Sequence, residues 1–263
     1  MPIREEAWAQ GTPAWVDLSV TDIERSKKFY NALLGWEFEG GEEEFGGYLN
    51  ATVKGQAVAG LAPPMEGMEE AVHAWTTYLA VDDSAATEAA LSAAGAQVLF
   101  GSMQVGPMGT MAIYVDPTGA VFGTWQSGTH TGYNLYNEPG AVLWNEAMVG
   151  DFDVAREFYS SVFSYVYQDV PMENVKYAMV GVPGHDDPVA GIGLSEGMPP
   201  HWALTFAVAD AEAALESATA HGGEVVAPVA ATEFGQLAVL RGPDGEMFAV
   251  MGSATESATA SKN

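Results

Sequence analysis

Residues 15–36 read WVDLSVTDIERSKKFYNALLGW, and residues 144–165 read WNEAMVGDFDVAREFYSSVFSY. Laid together without a gap, Trp15 falls on Trp144, Asp17 on Glu146, Val20 on Val149, Asp22 on Asp151, and Phe29-Tyr30 on Phe158-Tyr159. Each copy opens with residues alternating at period two, the mark of a strand with one buried face. An aspartate follows, whose carboxylate can accept the backbone N–H groups that a helix start leaves unpaired. Ser26, Phe29, Tyr30, Leu33 and Leu34 then recur at i, i+3, i+4 spacing, one apolar stripe on a helix. The unit is strand, cap, amphipathic helix. The strand face that this helix does not cover is where function is expected.

Outward from these two copies the chain keeps repeating itself. Strand-like pieces at Tyr48–Val53 and Ala57–Leu61 lead to Pro63-Pro64 and an acidic, methionine-containing linker. A second start follows at His73–Val81, capped by Asp82-Asp83, with an alanine-rich helix to Gly95, a residue suited to helix termination. Strands are expected at Gln97–Phe100, Thr110–Val115 and Ala120–Trp125, the last two joined by Asp116-Pro117-Thr118-Gly119, good hairpin chemistry. In the second half Tyr177–Val182, Val189–Leu194, His201–Val208, Gly222 and Gly242-Pro243-Asp244-Gly245 stand in the matching places. A repeat held at so many positions is a strong signal. It predicts an α+β chain of four βαβββ modules. Residues 1–12 read as an arm, 13–127 as a first domain of two modules, 128–140 as a linker, 141–252 as a second two-module domain, and 253–263 as a small, polar, disordered tail.

Bulk properties narrow the function. The chain of 263 residues carries 35 acidic and 9 basic residues, a net charge of −26. Such a surface repels phosphate backbones and anionic lipid, so neither nucleic acid nor a membrane is expected as a partner. No apolar run approaches the roughly 18 residues of a membrane span. The first ten residues, MPIREEAWAQ, hold no apolar core segment, so no secretory leader and a cytoplasmic location are expected. With no cysteine there is no disulfide framework, thiolate zinc site or cysteine nucleophile.

The order strand, Asp, helix with Phe-Tyr, Leu-Gly-Trp, and a later Asp-Pro-x-Gly hairpin resembles the vicinal oxygen chelate superfamily, which includes glyoxalase I, bleomycin-resistance proteins and extradiol dioxygenases. The tandem WVDLSVTD and WNEAMVGD resemble its two-domain actinobacterial members, labelled glyoxalase-like or hydroxylase. The resemblance spans residue 13 to about 252. It implies that each pair of βαβββ modules forms an incomplete β-barrel, with helices outside and a cleft inside. It also implies a divalent metal held by four residues, which fall in this sequence at Trp15, about Gly60, Thr76 and Gly123, and again at Trp144, about Gly191, Ala203 and Ala249. None of these is a metal donor. No metal and no other cofactor is therefore expected, and the family's glyoxalase and dioxygenase activities are not carried over. The five histidines, His73, His130, His185, His201 and His221, show no HxH or HxxxH spacing.

Strand alternation instead puts Trp15, Asp17 and Ser19 on the cavity face, with Val16, Leu18 and Val20 beneath the helix. Tyr48, Asn50, Thr76, Tyr78 and Trp125 are expected to join them as ligand-binding residues. In the second half Trp144, Glu146, Met148, Tyr177, His201, Thr205 and Met251 are the counterparts. A carboxylate beside an indole in a closed cleft has a raised pKa, so Asp17 and Glu146 are the candidate catalytic bases. The expected function is a metal-independent cleft for a small apolar or aromatic molecule, in a sequestering protein or a tailoring enzyme. The alternatives are an interaction protein whose clefts are filled by its own side chains, and a divalent-metal lyase or dioxygenase with an atypical site. Two internal domains already supply the module pairing, so a monomer is favoured over a homodimer.

Overall fold

The computed structural model describes residues 3–64, 73–171 and 175–253. The acidic linker at 65–72 and the tail from 254 onward lie outside the described residues. The first half runs β1 (Pro13–Ser19), α1 (Ile23–Leu34), β2 (Glu37–Gly40), β3 (Leu49–Val53), β4 (Gln56–Ala62), β5 (Trp75–Ala80), α2 (Ser84–Ala93), β6 (Gln97–Val105), β7 (Gly109–Val115) and β8 (Val121–Ser127). The second half repeats it: β9 (Val142–Val149), α3 (Phe152–Phe163), β10 (Val166–Asp169), β11 (Tyr177–Gly181), β12 (Ala190–Leu194), β13 (His201–Ala207), α4 (Ala211–Ala220), β14 (Glu224–Ala231), β15 (Gln236–Arg241) and β16 (Met247–Gly252). Two glyoxalase-like units result, each an α+β arrangement of an open eight-stranded mixed sheet. The order is β2-β3-β4-β1-β5-β8-β7-β6 in the first sheet and β10-β11-β12-β9-β13-β16-β15-β14 in the second.

The helices begin where the aspartates stand. Asp22 accepts from the Arg25 amide, Asp83 from Ala86, Asp151 from Asp153 and Val154, and Asp210 from Ala213, so each start has a side-chain acceptor. The apolar stripe of α1 buries Phe29, Tyr30, Leu33 and Leu34 against Val16, Leu18 and Val20, the face assigned to it by alternation.

Helix α1 is shared between the halves. Phe29 meets Phe248 of β16 edge to face at 6.3 Å, and the same buried cluster takes in Phe206, Leu240 and Val250 of the second half. Helix α3 does the reverse: Phe158 and Tyr159 pack on Phe122 of β8, at 6.3 and 5.8 Å, in a cluster with Leu79, Leu91 and Tyr114. Polar ties follow the same exchange. The Tyr159 hydroxyl donates to Asp116 Oδ2 at 3.0 Å, and the Tyr30 hydroxyl donates to Glu246 Oε1 at 2.6 Å. Between the sheets, Thr77 Oγ1 donates to Asn145 Oδ1 at 3.0 Å.

The segment that reads as a linker is packed. Tyr133 and Leu135 are buried, Ile3 of the arm forms a bridge with Leu135, and Trp8 contacts Tyr133 and Tyr136 edge to face. The Trp36 indole donates to the Gly140 carbonyl at 2.7 Å, fastening the start of the second half to the end of α1.

Candidate functional site: paired carboxylates on the inner faces of the sheets

Pairing register fixes the inner face of the first sheet. Asp17 of β1 stands between Gly60 of β4 and Thr76 of β5, and Gly60 in turn pairs Asn50. One step along, Trp15 pairs Tyr78, which pairs Gly123 of β8. The side chains of these rows bond to one another. The Trp15 indole N–H donates to the Tyr48 hydroxyl at 2.7 Å. The Tyr48 hydroxyl donates to Asp17 Oδ2 at 3.3 Å, and the Tyr78 hydroxyl donates to Asp17 Oδ1 at 3.2 Å. Burial nonetheless dominates, and the Asp17 carboxyl is pushed up to about 7, since desolvation of the charged form outweighs the two tyrosine hydrogen bonds. Both tyrosines are held neutral, their pKa values raised by burial and by the neighbouring acid.

A roof over this cluster comes from the segment between the halves. The His130 ring stands edge-on to Trp15 at 4.4 Å and to Trp125 at 5.5 Å, while the Trp125 indole donates to the His130 carbonyl at 2.9 Å. The Gly132 amide donates to His130 Nδ1 at 3.0 Å, so in the neutral ring the proton sits on Nε2. Burial lowers the His130 pKa to about 4, and the ring is neutral near pH 7.

The second sheet carries the same chain of donors. Glu146 pairs Gly191 and Ala203, and Trp144 pairs Thr205. The Trp144 indole donates to the Tyr177 hydroxyl at 3.0 Å. Burial raises the Glu146 pKa, opposed by a hydrogen bond from Tyr177 and by the nearby His201. His201 itself stands at the rim, its Nδ1 against the Pro199 carbonyl at 2.9 Å.

Alternation along the strands thus anticipates Trp15, Asp17, Tyr48, Asn50, Thr76, Tyr78 and Trp125 on one inner face, and Trp144, Glu146, Tyr177 and His201 on the other, and the structure brings each set together. It adds His130 and Tyr133, the latter 5.8 Å from Trp15. Neither residue belongs to a strand or helix, and an aperiodic segment carries no signal for the face it will cover. Gly60 and Gly191 also gain a reason. A Cβ on either would overlap the hydroxyl of Tyr48 or Tyr177, and one on Gly123 would overlap the Tyr78 ring. The tyrosines lie over the strand positions from which the resemblance would have metal ligands project. Trp15, Gly60, Thr76 and Gly123 do not fit such an ion, and neither do Trp144, Gly191, Ala203 and Ala249. Among the described residues no group of three or more His, Cys, Asp or Glu is placed to hold one.

Two concavities lie away from these faces. One of about 320 Å³ runs between α1 and α4, lined by Leu33, Leu34, Val208 and Ala213 among others. The other, about 220 Å³, lies by Gln10, Asp82 and Thr87. No helix among the described residues is long and apolar enough to cross a membrane.

Comparison with known proteins follows the same two-fold division. Residues 12–124 and 141–250 each match the model of the Glyoxalase/Bleomycin resistance protein/Dioxygenase superfamily. The chain is 38% identical over 260 residues to "Putative glyoxylase CFP32" of Mycobacterium bovis, covering 95% of this chain and 98% of that protein. It is 32% identical over 260 residues to "Anthracycline biosynthesis protein DnrV" of Streptomyces peucetius, covering 93% and 94%. Among solved structures, the Mn(II)-bound glyoxalase from Novosphingobium aromaticivorans superposes with a TM-score of 0.65 at 14% identity over 93% of this chain and 83% of that one. The 2,2',3-trihydroxybiphenyl 1,2-dioxygenase of Sphingomonas wittichii gives 0.63 at 12% identity over 93% and 91%. At these identities the structural likeness speaks for the fold alone.

Proposed function

Because the chain belongs to the glyoxalase/bleomycin resistance protein/dioxygenase superfamily, we propose that it binds a small apolar or aromatic molecule in a cleft that works without a metal, a protonatable carboxyl group taking the place of the ion. One observation carries the reading. An indole donating to a tyrosine hydroxyl beside an acid is built twice, as Trp15–Tyr48 with Asp17 and Trp144–Tyr177 with Glu146, and both acids have raised pKa values. The Asp17 carboxyl, pushed up to about 7, can donate a hydrogen bond to a carbonyl oxygen in one state and accept a proton in the other, and burial raises Glu146 in the same direction. A flat ring laid on the neighbouring indole brings such an oxygen or hydroxyl to it. The relative named for anthracycline biosynthesis supports a role on an aromatic compound, by sequestration or by a proton-transfer step in its tailoring.

The test is made on protein purified without chelator. Elemental analysis is expected to find less than about a tenth of an equivalent of divalent metal, where a zinc-type site would hold one. Native mass spectrometry of protein from its own host should show a retained small molecule, lost in a variant carrying both Asp17→Asn and Glu146→Gln. Stoichiometric metal, or an activity restored by adding it, would refute the proposal.

A further inference from the structure

The two inner faces have the same backbone and different walls. At equivalent register positions Tyr78 of the first sheet is replaced by Thr205 in the second, and Trp125 by Met251. Asn50 is replaced by Met179 and Ser19 by Met148. The consequence is visible in exposure. Trp15, Tyr78 and Trp125 retain 4%, 5% and 9% of their surface, because they fill the first cleft together with His130. At the acid and its tyrosine the two faces are alike, Asp17 and Tyr48 being partly exposed as Glu146 and Tyr177 are. Trp144 and Met251, however, stay partly exposed where Trp15 and Trp125 are buried, and the small Thr205 stands where Tyr78 fills the first cleft.

The geometry points to the second cleft as the ligand site, built for a flat, apolar ring system that is neutral or cationic and presents a hydroxyl or amine to Glu146. This deepens the reading above and rests on it. Methionine side chains are flexible and polarisable and make favourable contacts with aromatic ring edges, so Met148, Met179 and Met251, which share the inner face with Trp144, give that face an adaptable apolar surface. Glu146 lies between Gly191, whose space the Tyr177 hydroxyl takes, and Ala203, which stands where the first sheet has the larger Thr76, and it stays partly exposed. The basic residues flanking this half are engaged elsewhere: Arg156 with Asp169, Lys176 with Asp153, and Arg241 with Glu224. With a chain charge of −26 as well, an anionic group on the ligand is disfavoured.

A matched pair of probes tests size, place and charge together. N-phenyl-1-naphthylamine is neutral, and 1-anilinonaphthalene-8-sulfonate has the same rings plus one negative charge. The full chain is expected to bind one equivalent of the neutral probe and to hold the sulfonate at least about tenfold more weakly, a difference of about 1.4 kcal/mol. The triple variant Thr205→Tyr/Ala249→Gly/Met251→Trp, which installs the bulk of the first cleft in the second together with the glycine that makes room for the tyrosine ring, should abolish binding of the neutral probe. Met148→Ser/Met179→Asn removes the methionine wall without adding bulk and should weaken it by tenfold or more with the melting temperature held near wild type. The inference is overturned if the sulfonate binds as tightly as the neutral probe, or if both second-cleft variants bind like wild type. If the second-cleft variants leave binding intact and Asp17→Asn removes it, the first cleft is the site, and the metal-independent reading survives while this inference fails. If stoichiometric metal is found and binding follows its removal, the earlier reading fails instead.

Discussion

At the residue scale Asp17 is the most informative side chain. Its carboxyl is raised from 3.8 to about 7 by burial, so between those values the folded chain holds a proton that the unfolded chain releases. Stability from this group is therefore greatest below about pH 4 and falls as pH rises towards 7. The full shift corresponds to roughly 4 kcal/mol as an upper bound. Asp17→Asn keeps the shape and removes the titration. Relative to wild type the variant should gain stability steadily from about pH 4 to 7 and by a constant amount above that. Urea titrations across this range measure it, and parallel curves for the two proteins would mean that Asp17 is not the buried acid described. Glu146 and Glu246 are raised in the same direction, so the wild-type curve keeps part of its slope in the variant.

At the element scale the two turns that fasten the halves use one idea in two ways. In Asp116-Pro117-Thr118-Gly119-Ala120 the carboxylate stands at the start of the turn, caps the Thr118 and Ala120 amides and accepts from Tyr159. In Gly242-Pro243-Asp244-Gly245-Glu246 the carboxylate comes four residues later and accepts from the Asp244 amide and from Tyr30. Gly242 is glycine because a Cβ there would overlap the Glu246 carboxylate. Gly242→Ala should then cost on the order of 1–3 kcal/mol by overpacking. Gly242→Asp/Glu246→Ala transplants the first arrangement and should recover most of that loss. Additive losses in the double variant, read by thermal melts, would show that the two turns are not interchangeable.

At the scale of the whole molecule the halves exchange helices, so neither buries its core alone. Without the second half, Phe29 would lose Phe248, and Tyr30 would lose its acceptor Glu246. Tyr159→Phe should cost roughly 1–3 kcal/mol, because Asp116 Oδ2 loses its donor and the Trp202 indole, now 3.0 Å from the Tyr159 oxygen, loses its acceptor. Equilibrium unfolding should also be one cooperative transition, with circular dichroism and tryptophan fluorescence coinciding. Two separated transitions would contradict the shared clusters. The same exchange turns the segment at 128–140 from a tether into a packed element.

By itself the sequence determined the modules and their number. Period two against period 3.6, aspartates at the helix starts and a repeat held along the whole chain are local properties, and local geometry follows from them. Alternation likewise put Trp15, Asp17 and Ser19 on one face and Val16 and Leu18 on the other, because side-chain direction in a strand depends only on parity. Only the tertiary structure decided that Phe29-Tyr30 and Phe158-Tyr159 serve the opposite half as well as their own, since an apolar stripe specifies that it is buried and not by what. It alone brought His130 onto Trp15, and it alone buried Trp15 while leaving Trp144 partly exposed. Tyr78 against Thr205 is a modest difference in the sequence and becomes a buried ring over Gly123 in the first sheet with no counterpart in the second. That outcome depends on which side chains meet across strands far apart in the chain, and no local pattern encodes it.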